Sequence, residues 1–350
     1  MEELTMQNNQ SHSKWESSQF RENLKFKGLT KPEAILVIGL MLFAIAYALI
    51  RPSAGITKSV VIMQTADTHG IIYPYDYEAG AKTKTSMAQL ASLITDERNA
   101  GHELILIDCG NCTKGNLIEN FSDDVPGPAV SVLNHLGYDV FVPGNDEISG
   151  GTDALAKMSS EFSGSVLASN ISSNGKSSFS DPYLIIDKNG IKVAVFGVIA
   201  GCGNDFPDIS DPVEAAGNIL DEISDSADLI IGCVTAACES SDALRCAELI
   251  ANEYGSRINA LFLGGCEETV YTAVNGVPML GPGQNAAYIS KLFFTFREKG
   301  NKLELELGNS TMDLLDGSEA NADKDFLLQF ARLDQKCLDL AEQQSQGERK

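Results

Sequence analysis

An α/β domain with a mostly parallel sheet covered on both faces is what this sequence predicts, on two observations. From residue 59 onward, short apolar runs of strand length alternate with stretches at helical spacing. Each run also stops abruptly in a polar or glycine-rich cluster, and in such sheets function gathers at the C-terminal edges of the strands. With 350 residues and 43% hydrophobic content, the chain can hold one large core or two modest ones.

Residues 59–70 (SVVIMQTADTHG) open the pattern as a buried strand that ends in Asp67, Thr68, His69 and Gly70. A turn-rich stretch with Tyr73, Pro74, Tyr75 and Tyr77 leads to a helix near residues 85–99. Residues 103–108 (ELILID) form a second strand closed by Cys109, Gly110, Asn111 and Cys112. A helix over 127–135 and a short strand over 138–142 follow, and the strand ends at Pro143-Gly144-Asn145-Asp146-Glu147. After a helix near 152–160 and an extended stretch at 165–170, residues 183–187 and 191–198 pair as a hairpin across Lys188-Asn189-Gly190. Helices at 212–224 and 241–254 flank a strand at 228–234, and a further strand at 258–263 ends in Gly264-Gly265-Cys266-Glu267-Glu268. Hairpins over 268–278 and 286–307 come next. A closing helix at 323–343 places Phe326, Leu327, Phe330, Leu333, Cys337 and Leu340 at helical spacing.

The beginning of the chain is of another kind. Residues 34–50 (AILVIGLMLFAIAYALI) are apolar without a charge or proline, about the minimum length of a membrane-spanning helix. Lys14, Arg21, Lys25, Lys27 and Lys31 precede this run, whereas only Arg51 and Lys58 closely follow it. The positive-inside bias makes 1–33 a cytoplasmic polar tail, 34–50 a single-pass anchor, 51–58 a linker and the rest extracytoplasmic. A cleaved leader is the competing reading, since Ala46-Tyr47-Ala48 is an acceptable cleavage site. The formal charge of −22 falls on the outer part, because the tail carries five basic and five acidic residues. A surface this acidic repels nucleic acid at long range, so DNA and RNA are excluded as partners.

Five strand edges carry DTH, DCGNC, GNDE, VTAAC and GGCEE, which argues for a shared site. Asp67 and His69, two apart on an extended segment, offer a carboxylate and an imidazole to one cation. In order and spacing, the edges resemble the metallophosphoesterase domain of the 5′-nucleotidase family, within the calcineurin-like superfamily, over roughly residues 60–311. The resemblance implies a layered αββα domain over 59–311, with residues 312–350 as a C-terminal helix and polar tail. It also implies two divalent metals, bridged by the Asp of a GD motif, that polarise a phosphate ester and supply hydroxide. A histidine in GNHE stabilises the transition state.

Position by position, Asp67 and His69 match the D-x-H motif, and Asn111 stands at the bridging Asp. Asn145 keeps the Asn ligand of GNHE, and Asp146 takes the place of its catalytic His. Thr235 substitutes for the later His, while Cys266 and Glu268 substitute for the two His of GH-x-H. One metal (zinc, manganese or iron) held by Asp67, His69 and Glu268 is expected. A second at Asn145, Asn111, Thr235 and Cys266 is not, because an amide and a hydroxyl are poor ligands. An ionised Asp146 repels a phosphate, so ordinary nucleotidase turnover is expected to be absent or very weak.

Of the eight cysteines, Cys233, Cys246 and Cys337 fall at core positions, whereas Cys109, Cys112, Cys202, Cys238 and Cys266 fall at or beyond strand ends. Two readings stand for the second group. They are disulfides or small fillers of a vacated pocket, or they are thiolates that hold a soft metal or an iron–sulfur cluster. Two functions accordingly remain. One is a membrane-anchored phosphoesterase with a one-metal or altered centre acting on a small phosphate-bearing substrate. The other is a non-catalytic homologue binding a metal, cluster or protein partner through a cysteine-lined pocket, with a purely structural role third.

Overall fold

The computed structural model describes residues 57–171, 179–201, 209–236, 240–300 and 302–347. The tail, the anchor at 34–50, most of the linker, Cys202 and Cys238 lie outside the described residues. Among those described, no helix is long and apolar enough to cross a membrane.

The chain runs in order through β1 (Thr57–Thr65), β2 (Tyr75–Asp76), β3 (Ala81–Lys82), α1 (Met87–Asn99), β4 (Leu104–Asp108), α2 (Pro128–Leu136), β5 (Val140–Phe141), α3 (Asn145–Ile148), α4 (Gly151–Glu161) and β6 (Ser165–Val166). It continues through β7 (Tyr183–Lys188), β8 (Ile191–Ala200), α5 (Pro212–Ile223), β9 (Leu229–Ala236), α6 (Ser240–Tyr254), β10 (Ala260–Gly264), β11 (Val270–Val274), β12 (Val277–Gly281), β13 (Tyr288–Lys299), β14 (Lys302–Leu305), β15 (Thr311–Asp316) and α7 (Lys324–Gly347). Local signals set several ends. Ser86 caps α1 by accepting from Ala88 N–H, and Asp211 caps α5 ahead of Pro212 by accepting from Val213 and Glu214.

Two sheets form, as the αββα resemblance implies and the alternation of elements alone does not. The first runs β14-β13-β1-β4-β5-β6 with β15 beside β13, and the second runs β11-β12-β10-β9-β8-β7. Each has a parallel centre, β1-β4-β5-β6 and β12-β10-β9-β8, with antiparallel strands on the remaining positions. The predicted hairpin of β7 and β8 forms as expected.

Period-2 alternation explains the layers. In β1, Val60 and Ile62 meet Val193, Val195, Ile231 and Phe262 of the second sheet, in a core between the sheets. Val61 and Met63 point the other way, onto Leu90 and Ile94 of α1, Leu133 of α2 and Phe326 of α7. The second sheet repeats the arrangement, with Phe196 and Val234 against Leu220 of α5 and Ile250 of α6. The order helix, sheet, sheet, helix is thus built from strands that are apolar on both faces. Each fully buried Ile or Leu contributes about 2 kcal/mol relative to exposure.

The first sheet and its core continue past residue 311, the expected domain border. β15 pairs with β13 from Phe293↔Thr311 to Tyr288↔Asp316, and α7 sinks Phe326, Phe330 and Cys337 into the core shared with α1. His135 packs edge-on against Phe330 and His102 contacts Glu97, and neither lines the polar strand edges.

Candidate active site at the shared strand edge

The polar edges meet. A cavity of about 260 Å³ is lined by Asp67, His69, Asn111, Asn145, Asp146, Ala236, Gly265, Cys266, Glu267 and Gln284. These residues follow the C-terminal ends of β1, β4, β5, β9, β10 and β12. The sheets are tied together beneath it: Gln64 Nε2 of β1 donates to the Leu263 carbonyl of β10 (2.9 Å), and the Thr235 hydroxyl of β9 donates to the Pro143 carbonyl (2.7 Å). Gly264 allows the closest approach, since a Cβ there would lie 2.0 Å from the Cys109 carbonyl oxygen.

Asp67 and His69 reach the cavity by a route other than the one expected. Both have left-handed backbones, with φ of 50° and 45°, as does Asn111 at 56°. They therefore sit on a coiled loop and not on an extended segment, a conformation that ordinary side chains adopt at a cost and that marks functional loops. Interlocked backbone bonds hold it: Asp67 N–H donates to Gly110 O (2.8 Å), His69 N–H to Asn111 O (3.0 Å) and Asn285 N–H to Asp67 O (2.7 Å).

Asp67 is 3% exposed, and the protein supplies its donors. Asn111 Nδ2 donates to Oδ1 (2.6 Å), while Gly265 N–H donates to Oδ1 and Oδ2 (3.0 and 2.8 Å). Burial pushes its pKa up to about 6, against these hydrogen bonds. Asn111 Oδ1 in turn accepts Asp146 N–H at 3.0 Å. His69 Nδ1 stands 3.6 Å from Asp146 Oδ2, an ionic contact too long for a hydrogen bond. The Asp146 carboxylate raises the pKa of His69, and its own Oδ2 is buried with no hydrogen-bond partner.

Glu147 organises the floor. Its Oε2 accepts the N–H groups of Asn111 and Gly144 (both 2.9 Å), and its Oε1 accepts those of Cys112 and Thr113 (both 3.1 Å) together with the Thr113 hydroxyl (2.8 Å). One buried carboxylate thus fixes the loops after β4 and β5 in one register. Its signal was present in the GNDE edge, as was that of Gln284 in the loop at 281–285. Gly265, which acts through its N–H, left no chemical signature.

Several expected placements are corrected. Glu268 is exposed and outside the lining, and Glu267 faces the cavity instead. Thr235 is fully buried beneath the cavity and spends its hydroxyl on Pro143, while Ala236 provides the wall. The cysteines line no common pocket. Cys109 packs with Cys233 between the sheets, and Cys112 lies on the helix side of the first sheet. Cys266 alone of the described candidates lines the cavity, and burial with the neighbouring Asp67 pushes its thiol up to about 12. The six described cysteines form no disulfide with one another.

Two metals do not fit these donors. Asn111 gives an N–H to Asp67 where a bridging oxygen is required, and Thr235 spends its hydroxyl on Pro143. Among the described residues, no three His, Cys, Asp or Glu side chains converge to enclose a metal ion, so the expected Asp67, His69 and Glu268 set is not formed. The lining carries Asp67, Asp146 and Glu267 against His69 alone, and Asp146 Oδ2, which has an ionic contact with His69 but no hydrogen bond, is an oxygen donor of the kind that a largely hydrated cation takes.

The chain matches no protein-family model. It is 31% identical to a 5′-nucleotidase of Vibrio cholerae over 189 residues, covering 50% of this chain and 33% of the relative. It is 29% identical to a 2′,3′-cyclic-nucleotide 2′-phosphodiesterase/3′-nucleotidase of Haemophilus influenzae over 136 residues, covering 37% and 21%. The matched part thus spans a third or less of the length of these curated relatives. Among solved structures, the calcineurin-like phosphoesterase YfkN of Bacillus subtilis superposes with a TM-score of 0.70 at 20% identity, over 82% of this chain and all of that one. Sequence and fold point the same way: part of this chain is similar to curated proteins of the 5′-nucleotidase family, and its fold is that of calcineurin-like phosphoesterases.

Proposed function

We propose that the cavity hydrolyses a phosphate or related ester of a small, nucleotide-type molecule with a reduced, one-cation centre. What carries this reading is the convergence of Asp67, His69, Asn111 and Asn145 on one cavity, at the edge where this fold family does its chemistry. Asp67, Asp146 and the Asn145 amide are the groups that would hold a divalent cation. Such a cation supplies Lewis acidity toward a phosphoryl oxygen and acidifies water.

The remaining work falls to this chain's own side chains. His69, whose protonated form the Asp146 carboxylate favours, gives a proton to the leaving-group oxygen. The amides of Asn145 and Gln284 donate to non-bridging oxygens. Asp146 cannot stabilise transition-state charge as a histidine does, so turnover is slow. A non-catalytic binding domain is the second reading, favoured by the Asn111 to Asp67 bond.

Detergent-solubilised full-length protein, assayed for phosphate release from nucleoside monophosphates and cyclic phosphates, decides between them. Cation-dependent release that EDTA abolishes and that falls about 100-fold in His69→Ala is the expected result. Release no higher than that of His69→Ala with magnesium, manganese or zinc leaves the non-catalytic reading.

We also propose that residues 34–50 anchor the chain in a membrane with the domain outside, supported by the apolar run and the charge bias around it. Protease added to right-side-out vesicles should digest the domain and leave a membrane-bound N-terminal fragment. Full protection of the chain overturns this topology, and a soluble domain released without protease points to a cleaved leader.

A further inference from the structure

A second hollow adjoins the first. It has a volume of about 330 Å³ and lies between the 3₁₀ turn Ile118–Phe121, the start of α2, the short helix α3 and one face of α4. Ile118, Pro128, Val130, Leu155 and Met158 give it apolar walls, all of them buried. Asp146 lines both hollows, so they share a wall at the residue that faces His69.

Most of the polar groups around this cleft, Asp146 apart, are already engaged. Glu147 accepts the loop N–H groups described above, Glu161 accepts Gly127 N–H (3.1 Å), and Glu119 accepts Gly115 N–H (3.1 Å). Lys157 Nζ donates to the Ser122 carbonyl (2.6 Å) and Lys114 Nζ to the Ser149 hydroxyl. What remains to select a ligand is apolar surface, with two ammonium groups bordering it in a strongly acidic chain.

We propose that this cleft is the subsite for the organic group of the ester whose phosphate sits at His69 and Asn145, and that this group is a flat, ring-bearing one. The assignment rests on the phosphoesterase reading given above. Its volume lies in the range of sites that enclose small molecules. A ring that leaves water for such walls gains roughly tenfold to a hundredfold in affinity. Continuity through Asp146 puts the ring and the phosphate of a single molecule in adjacent hollows.

Calorimetry on the full-length protein in magnesium-containing buffer tests this with phenyl phosphate, inorganic phosphate and phenol. Two variants report on the cleft alone. Ala154→Trp fills it from an exposed helix position, and Met158→Gln makes its wall polar at similar volume. Phenyl phosphate is expected to bind at least tenfold more tightly than inorganic phosphate, and both variants should erase that preference while inorganic phosphate binds as before. Equal affinity for the two phosphates in the unaltered protein, or a preference that survives both variants, overturns the subsite. If neither phosphate binds but phenol binds and is lost in Ala154→Trp, the aryl subsite stands and the phosphate reading falls. If none of the three binds, both fall.

Discussion

Asn111→Asp is expected to melt several degrees below the unaltered protein in chelator and to gain more from manganese than the unaltered protein does. The amide of Asn111 donates to Asp67 Oδ1 at 2.6 Å and accepts Asp146 N–H through its oxygen. An aspartate keeps the second bond but brings a carboxylate oxygen against Asp67, where two negative charges cannot both be ionised cheaply. The lost hydrogen bond and the repulsion together cost about 2 kcal/mol near pH 8, or roughly 4–8 °C for a domain of this size. The same change supplies the bridging oxygen that the family resemblance implies. Manganese at about a hundred times its dissociation constant then returns about 2.7 kcal/mol. Thermal melts with EDTA and with manganese read both effects without reference to activity. A variant that melts like the unaltered protein in both buffers shows that residue 111 does not stand at the cation.

Much of the site was legible in the sequence because a strand buried on both faces must end in a change of character. Asp67, His69, Asn111, Asn145, Asp146 and Cys266 all fall just past such an end and all line the cavity. What the sequence could not show is where the backbone leaves the strand conformation. Alternation puts Cys266 and Glu268 on one face, but β10 ends at Gly264 and the chain turns through Gly265 at φ 78°, so Glu267 faces inward. The same effect separates Cys109 from Cys112. Gly110 and Asn111 between them are both left-handed, which sends the two thiols to opposite faces of the first sheet. Asp67 and His69 come together for a reason other than alternation, through their own left-handed turn.

The division into two sheets was hidden for a related reason. A run such as ELILID is apolar on both faces whether a helix or a second sheet covers it, so composition does not distinguish the coverings. The αββα order followed from the family resemblance and not from the periodicity. The extent of the first sheet was obscured by composition as well. Residues 311–316 (TMDLLD) alternate exposed and half-buried positions along an edge, a pattern too weak to announce a strand.

Asp108, the first residue of the DCGNC edge, carries the largest expected dependence of stability on pH. It is fully buried at the end of β4; its Oδ2 accepts the Thr65 hydroxyl (2.7 Å) and its Oδ1 accepts Gly110 N–H (3.0 Å). Burial pushes its pKa up to about 8, with the nearby Glu147 and Asp67 charges adding to the rise. The folded chain therefore keeps a proton that the unfolded chain releases above about pH 4. The contribution of this group to stability is complete below that value, declines as pH rises toward 8, and is level beyond. Its span is on the order of 5 kcal/mol. In Asp108→Asn the amide oxygen can still accept Gly110 N–H. The Thr65 hydroxyl can reverse, accepting from the new amide and donating to Tyr138, whose hydroxyl lies 2.9 Å away. The variant is therefore expected to match the unaltered protein near pH 4 and to exceed it by several kcal/mol at pH 8, in urea unfolding followed across that range. Parallel pH profiles for the two proteins show instead that the Asp108 carboxyl does not hold its proton in the folded state.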